Sequence, residues 1–169
     1  MVIIKGLLLF TSFAISVVIG LMCSGKYKNR VNELKELKTA LTIMQTKMRY
    51  TYEPIPEIFQ EIANSSKQTI SLIFLTAIQK MEQKSAGQAW QEAIEETPLS
   101  VKQEDKTILK GLSKLLGKTD VEGQISQIEL TIHFLSTQIE KAEIERAKNE
   151  KMYKTLGVVG GCAIVIFLI

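Results

Sequence analysis

The chain begins and ends in uncharged apolar runs, each bordered on its inner side by lysines and arginines. Gly6 to Cys23 (GLLLFTSFAISVVIGLMC) carries no charge, and neither does Leu156 to Ile169 (LGVVGGCAIVIFLI). Burying the first run in a soluble core conflicts with the strongly polar stretch that follows it, whereas a helix of roughly 18 or more apolar residues matches the hydrocarbon thickness of a bilayer. The pattern predicts a membrane protein tethered at both ends. Residues 1–25 form an N-terminal transmembrane helix, 26–154 a cytoplasmic helical domain and 155–169 a C-terminal transmembrane helix. The second span is the shorter, reaching about 21 Å of a ~30 Å hydrocarbon core, so it needs Tyr153 at the interface and snorkelling by Lys151 and Lys154.

The flanking charges predict the orientation. Lys26, Lys28, Arg30, Lys35 and Lys38 follow the first run, against Lys5 alone before it, and Lys141, Arg146, Lys148, Lys151 and Lys154 precede the second. Positive charge beside a span is retained on the cytoplasmic side during insertion. A cleaved signal would want a shorter apolar core and small residues before the cut, and a lipoprotein reading would modify Cys23. Bulky Leu21 and Met22 precede Cys23, which favours a retained anchor.

Composition excludes several function classes. The net charge of +3 resides mostly in the clusters beside the spans, so it points to anionic lipid headgroups and not to nucleic acid. Both cysteines, Cys23 and Cys162, lie in the apolar ends, which leaves no disulfide framework or zinc site. His133 is the lone histidine, with Glu129 one turn away and no further ligand at metal spacing. Glu104 and Asp105 are neighbours that diverge on a helix and read as a solvated face. No phosphate-binding loop of the GxxxxGK type is present. The reading is a protein without catalytic residues, cofactor, metal or small-molecule substrate.

The middle of the chain reads as all-α. Leu34, Leu37, Leu41, Met44 and Met48 draw one apolar stripe on a helix that ends at Glu53-Pro54, since a residue before proline is pushed out of helical geometry. Pro56 opens the next short helix, which ends near Asn64 to Ser66. Gln68 to Gln83 turns Ile70, Ile73, Phe74, Ala77, Ile78 and Met81 inward; its β-prone TISLIFLTAI still fits helical spacing. Ser85 caps a helix bearing Trp90 and Ile94 that Pro98 stops, and Lys102 to Leu116 continues with Ile108, Leu109, Leu112 and Leu116 to a left-handed cap at Gly117. Thr119 and Asp120 then cap the longest helix, with apolar positions Ile125, Ile128, Ile132, Leu135, Ile139 and Ala142. The expected fold is a helical bundle with a long antiparallel helix pair continuing into two terminal transmembrane helices, the shorter helices forming a cap. Gly157, Gly160 and Gly161 allow either close helix approach or simple flexibility near an end.

The segments YTYEPIPEIF (Tyr50 to Phe59), AGQAWQEAI (Ala86 to Ile94), LGKTDVEGQ (Leu116 to Gln124) and AKNEKMYKTLG (Ala147 to Gly157) together resemble the stage III sporulation protein AB family of endospore-forming Firmicutes. The resemblance runs over essentially the whole chain. It implies a platform component in the mother-cell membrane around the forespore, with a cytosolic domain similar to that of the F protein of type II secretion and type IV pilus machines. It also implies partners: a cytosolic secretion-type ATPase of the same operon and the other membrane components of a channel between mother cell and forespore. A single domain with two spans is about half of a secretion F protein. The functional expectation is a non-enzymatic platform coupling that ATPase to the channel; the alternative is a stand-alone membrane-anchored scaffold or regulator without a motor partner. Recognition concentrates on loops and exposed ends of a rigid scaffold, which makes Glu57, Glu61, Lys102 and Lys106 the candidate docking residues.

Overall fold

A computed structural model describes the backbone from Val2 to Leu168, and the side chains of residue 7 and residues 10–166. Every regular element among the described residues is helical: α1 (Val2–Tyr50), α2 (Ile55–Ser65), α3 (Gln68–Met81), α4 (Ala86–Glu96), α5 (Gln103–Lys110), a 3-10 helix (Gly111–Lys114) and α6 (Val121–Leu168). The chain forms two compact units: Met1–Val31 with Lys141–Ile169, and Asn32–Glu140. With no proline before Pro54, nothing removes a backbone donor along α1, and the helix passes through Gly25 without interruption.

The end of α1 comes three residues earlier than the proline alone predicts. The Thr51 N–H closes the last turn on the Lys47 carbonyl, and Tyr52 then adopts a left-handed φ of 54° that reverses the chain ahead of Pro54. Pro54 stands at the N-cap of α2, which places Pro56 second in that helix and not first. Ser85 closes a capping box with Gln88, its hydroxyl accepting from the Gln88 N–H. Asp120 caps α6 by accepting the Gly123 N–H at 2.9 Å.

The helix expected from Lys102 to Leu116 instead stops at Lys110 and tightens into the 3-10 turn. The reason lies on α4. A methyl group on buried Gly87 would overlap the Ser113 carbonyl oxygen, so the two backbones meet with nothing between them. Trp90, one turn along α4, donates its indole N–H to the Leu109 carbonyl at 2.8 Å. The Leu109 carbonyl at the α5 end therefore finds a partner outside the helical ladder. Gly117 follows at φ 70°, a conformation that costs a residue with a Cβ but not glycine.

Packing in the Asn32–Glu140 unit centres on three aromatic rings. Phe59, Phe74 and Trp90 are each fully buried, with ring centroids 5.0 to 5.7 Å apart and one T-shaped pair. Such pairs contribute about 0.5–1.5 kcal/mol beyond area burial. From α1 the stripe Leu34, Leu37, Leu41, Met44 and Met48 is buried as its spacing predicts. On α6 the buried face runs Ile125, Ile128, Thr131, Leu135 and Gln138–Ile139, so the expected Ile132 is only half-buried and a threonine takes its place. Thr131 satisfies its hydroxyl on the Gln127 carbonyl, which removes the cost of burying it.

Side chains of both long helices bond the segments between them. Glu33 accepts the Ser100 N–H, Glu36 pairs with Lys67, and Lys47 with Glu61. From α6, Gln138 donates to Glu104, Gln127 to the Gly111 carbonyl, and Gln124 bridges Thr119 and Gly117.

Candidate membrane pair and docking surface

In the unit of Met1–Val31 and Lys141–Ile169, the start of α1 and the end of α6 run antiparallel in direct contact. Gly20 and Gly157 make the crossing: a methyl group on Gly20 would lie 2.8 Å from the Tyr153 carbonyl oxygen and 2.9 Å from the Gly157 Cα. The Ser16 hydroxyl donates to the Gly157 carbonyl at 3.0 Å. Further along, Gly161 seats the Phe13 ring, which a Cβ would strike at 2.7 Å. Small residues at the crossing permit this close approach of the two backbones. Of the two readings open for the glycines, close approach is the one the structure adopts at Gly157 and Gly161. Gly160 keeps its distance, with Ser16 Oγ 3.5 Å from where its Cβ would be.

The outer surface of this pair is apolar. Leu7, Phe10, Ile15, Met22, Leu156 and Ile166 are between 56 and 76% exposed. Among the described residues, α1 is the one helix both long and apolar enough to cross a membrane. Towards the charged side the chemistry changes within one turn. Tyr27 stacks on Tyr153 with centroids 5.9 Å apart, and Arg30, nearly buried, bonds Glu145 at 2.8 Å. Glu150 receives both Lys154 Nζ at 2.7 Å and Arg146 Nε at 2.8 Å. Those two cations, Lys154 first, hold its carboxyl down at about 2.

The four candidate docking residues fall into two pairs on separate helices. Glu57 and Glu61 are exposed on α2, and Glu61 is engaged by Lys47 Nζ at 2.6 Å, which raises the Lys47 pKa. Lys102 is exposed just before α5, and half-exposed Lys106 donates to the Thr97 carbonyl at 3.4 Å. α2 packs on α3, while α5 packs on α4 and the 3-10 turn. The acidic and basic pairs therefore do not converge on one spot.

Asp105 corrects the expectation of a solvated carboxylate face. It is fully buried and accepts the Lys102 N–H at 2.8 Å, closing the start of α5, while neighbouring Glu104 accepts from Gln138. His133 is exposed beside Phe134, and no group of three metal-ligating side chains occurs among the described residues.

Pairings that the sequence does not announce do much of the fixing. Arg30 and Glu145 stand 115 positions apart, so no local pattern announces them. Gly87 sits within a segment that shows only its helical periodicity. Polar Gln124, Thr131 and Gln138 share the buried face of α6 at intervals of seven, a regularity visible in the sequence once polar residues are counted with the apolar ones.

The sequence profile described as stage III sporulation protein AB (spore_III_AB) matches residues 5–169. The chain belongs to the stage III sporulation protein AB family. A relative from Bacillus subtilis (strain 168), named stage III sporulation protein AB, is 29% identical over 146 residues, 84% of this chain and 85% of its own length. A solved structure titled stage III sporulation protein AB (SpoIIIAB) superposes with a TM-score of 0.67 at 24% identity, covering 71% of this chain and 98% of its own. At that identity the likeness speaks for the helical fold. Family membership makes this a sporulation protein.

Proposed function

We propose that this protein is a non-enzymatic platform component of a sporulation-specific, secretion-like channel, held in the mother-cell membrane around the forespore by two terminal helices, with its central domain in the cytoplasm. The observation that carries the membrane part is the outward apolar surface of the helix pair, from Leu7 and Phe10 on α1 to Leu156 and Ile166 on α6. In water, an apolar patch of that extent drives association; in lipid it is the favoured surface. The Gly20–Gly157 crossing supports insertion of both segments together, because the short second helix gains a partner within the bilayer.

The domain couples a cytosolic secretion-type ATPase to the membrane components of the channel. This part rests on family membership and on what the resemblance implies, together with a domain that offers exposed charges on rigid helices. Copurification of the full-length protein from sporulating cells tests it, with the ATPase and channel components as the expected companions. Charge reversal at Glu57, Lys102 and Lys106 should weaken ATPase capture and block sporulation while the helical content stays native, with Glu57 the cleanest probe because Lys106 also gives up its bond to the Thr97 carbonyl. Glu61 is a poorer probe, since its reversal also repels Lys47. Normal capture by those variants, with loss of capture on reversing Arg146 and Lys148, would move the docking surface to the long helices. Absence of any ATPase leaves the stand-alone scaffold as the reading.

Topology has its own test. Cysteines placed at Gln83 or Lys102 should resist a membrane-impermeant thiol reagent in intact cells and react after permeabilisation. Ready labelling in intact cells would reverse the orientation.

A further inference from the structure

We infer that Lys26, Lys28, Lys148 and Lys151 form a collar that binds anionic phospholipid headgroups. The inference rests on the membrane reading above and adds which side chains meet the lipid, and with what selectivity. Between residues 26–30 and 145–154 the chain holds seven cationic side chains and two carboxylates. Both carboxylates are engaged: Glu145 by Arg30, and Glu150 by Arg146 together with Lys154. The remaining four cations are these exposed lysines, none of which has an ion-pair partner among the described residues.

Their placement on the helix pair sets the kind of ligand. The Tyr27–Tyr153 stack fixes which levels of α1 and α6 stand side by side. Taking a rise of ~1.5 Å per residue, the four Cα atoms fall within roughly 9 Å along the axis. Lysine stems are long enough to bring all four ammonium groups near one plane. Around the axis they spread out: Lys26 and Lys28, two apart on a helix, lie on opposite sides, whereas Lys148 and Lys151, three apart, share a face. A single small anion reaches only some of them. A layer of headgroups reaches them all, and that layer begins where exposed Met22 and Leu156 end the apolar surface. Juxtamembrane lysines each attract an anionic leaflet by a short-range, salt-screened force.

The test uses the full-length protein in phosphatidylcholine vesicles with and without phosphatidylglycerol, reading which spin-labelled lipid the protein retains at its surface. Native protein should select the anionic lipid several-fold, less so as salt is raised. The K26Q/K28Q/K148Q/K151Q variant should lose that selection, while R146Q/E150Q, which removes one ion pair and leaves the net charge unchanged, should retain most of it. Equal selection by the four-lysine variant overturns the collar. So does an embedded native protein, resistant to alkaline carbonate, that shows no preference. Extraction by carbonate would overturn the membrane reading as well. Displacement of the lipid by inorganic phosphate beyond what chloride achieves at equal ionic strength would overturn the lipid assignment in favour of a small anion.

Discussion

Arg30 and Glu145 are joined at 2.8 Å across the pair of long helices, yet their side chains are unequally sheltered, at 5% and 35% exposed. Removing one partner of a buried pair costs more than the pair contributes, because the survivor keeps its desolvation penalty. The two single variants should therefore differ. Glu145→Ala leaves a buried guanidinium and should destabilise the full-length protein in detergent by about 2–4 kcal/mol, whereas Arg30→Met leaves a carboxylate that water reaches and should cost roughly half as much. Thermal melting followed by circular dichroism reads both; equal losses would mean that the ion pair is not the determinant.

Gly87 allows α4 to touch the 3-10 turn through backbone alone. Gly87→Ala normally favours a helix by up to about 1 kcal/mol. Here it should destabilise by about 1–3 kcal/mol through overpacking against Ser113, with the Trp90 indole displaced from Leu109. A fall in melting temperature with a shift in tryptophan emission is the expected signature, and a more stable variant would contradict the close approach.

Leu41 and Ile132 occupy equivalent places in the two apolar stripes, but only Leu41 is fully buried. Leu41→Asp should unfold the domain, since an unpaired buried carboxylate costs several kcal/mol against a stability of roughly 5–15. Ile132→Asp should melt lower but remain folded, with its carboxylate at the helix edge. If both variants unfold alike, the α6 face lies where the apolar residues alone would put it.

Glu150 makes stability depend on acid. Its carboxyl is held down to about 2 by Lys154 and Arg146, below the ordinary 4.5. A depressed carboxylate contributes stability above its unfolded pKa and loses it as pH falls through the folded value. The contribution should therefore disappear between about pH 4.5 and 2, modestly, because salt and solvent screen an exposed pair. In Glu150→Gln that part of the acid dependence should be absent, which melting curves at pH 5 and pH 2.5 would compare. An unchanged pH profile would show that these cations do not stabilise the folded carboxylate.

Helix identity is legible in the sequence because it depends on local spacing: the central segments expected to be helical are so, the one from Lys102 stopping short at Lys110, and TISLIFLTAI is helical despite its β-prone residues. The caps at Ser85 and Asp120 and the left-handed Gly117 were legible for the same reason. What escaped depends on partners distant in the chain. Tyr52, not the proline, turns the end of α1, and the approach of Ser113 to Gly87 accompanies the tightening after Lys110. Asp105 looked solvated since burial of a carboxylate shows only when its donor, the Lys102 N–H, is in place. Charge and loop position single out the four docking residues but do not reveal that Glu61 is already occupied by Lys47.

The buried polar residues of α6 have a mechanical meaning. Gln124 and Gln138, with Gln127 between them, fasten that helix at three heights to Gly117, Glu104 and Gly111. A greased seam of leucines could creep by one turn and find another leucine waiting. Here a slip of ~5.4 Å would unfasten all three at once and strand buried amides without partners. The α6 segment is therefore held at a single register, as a toothed rack is held by its housing.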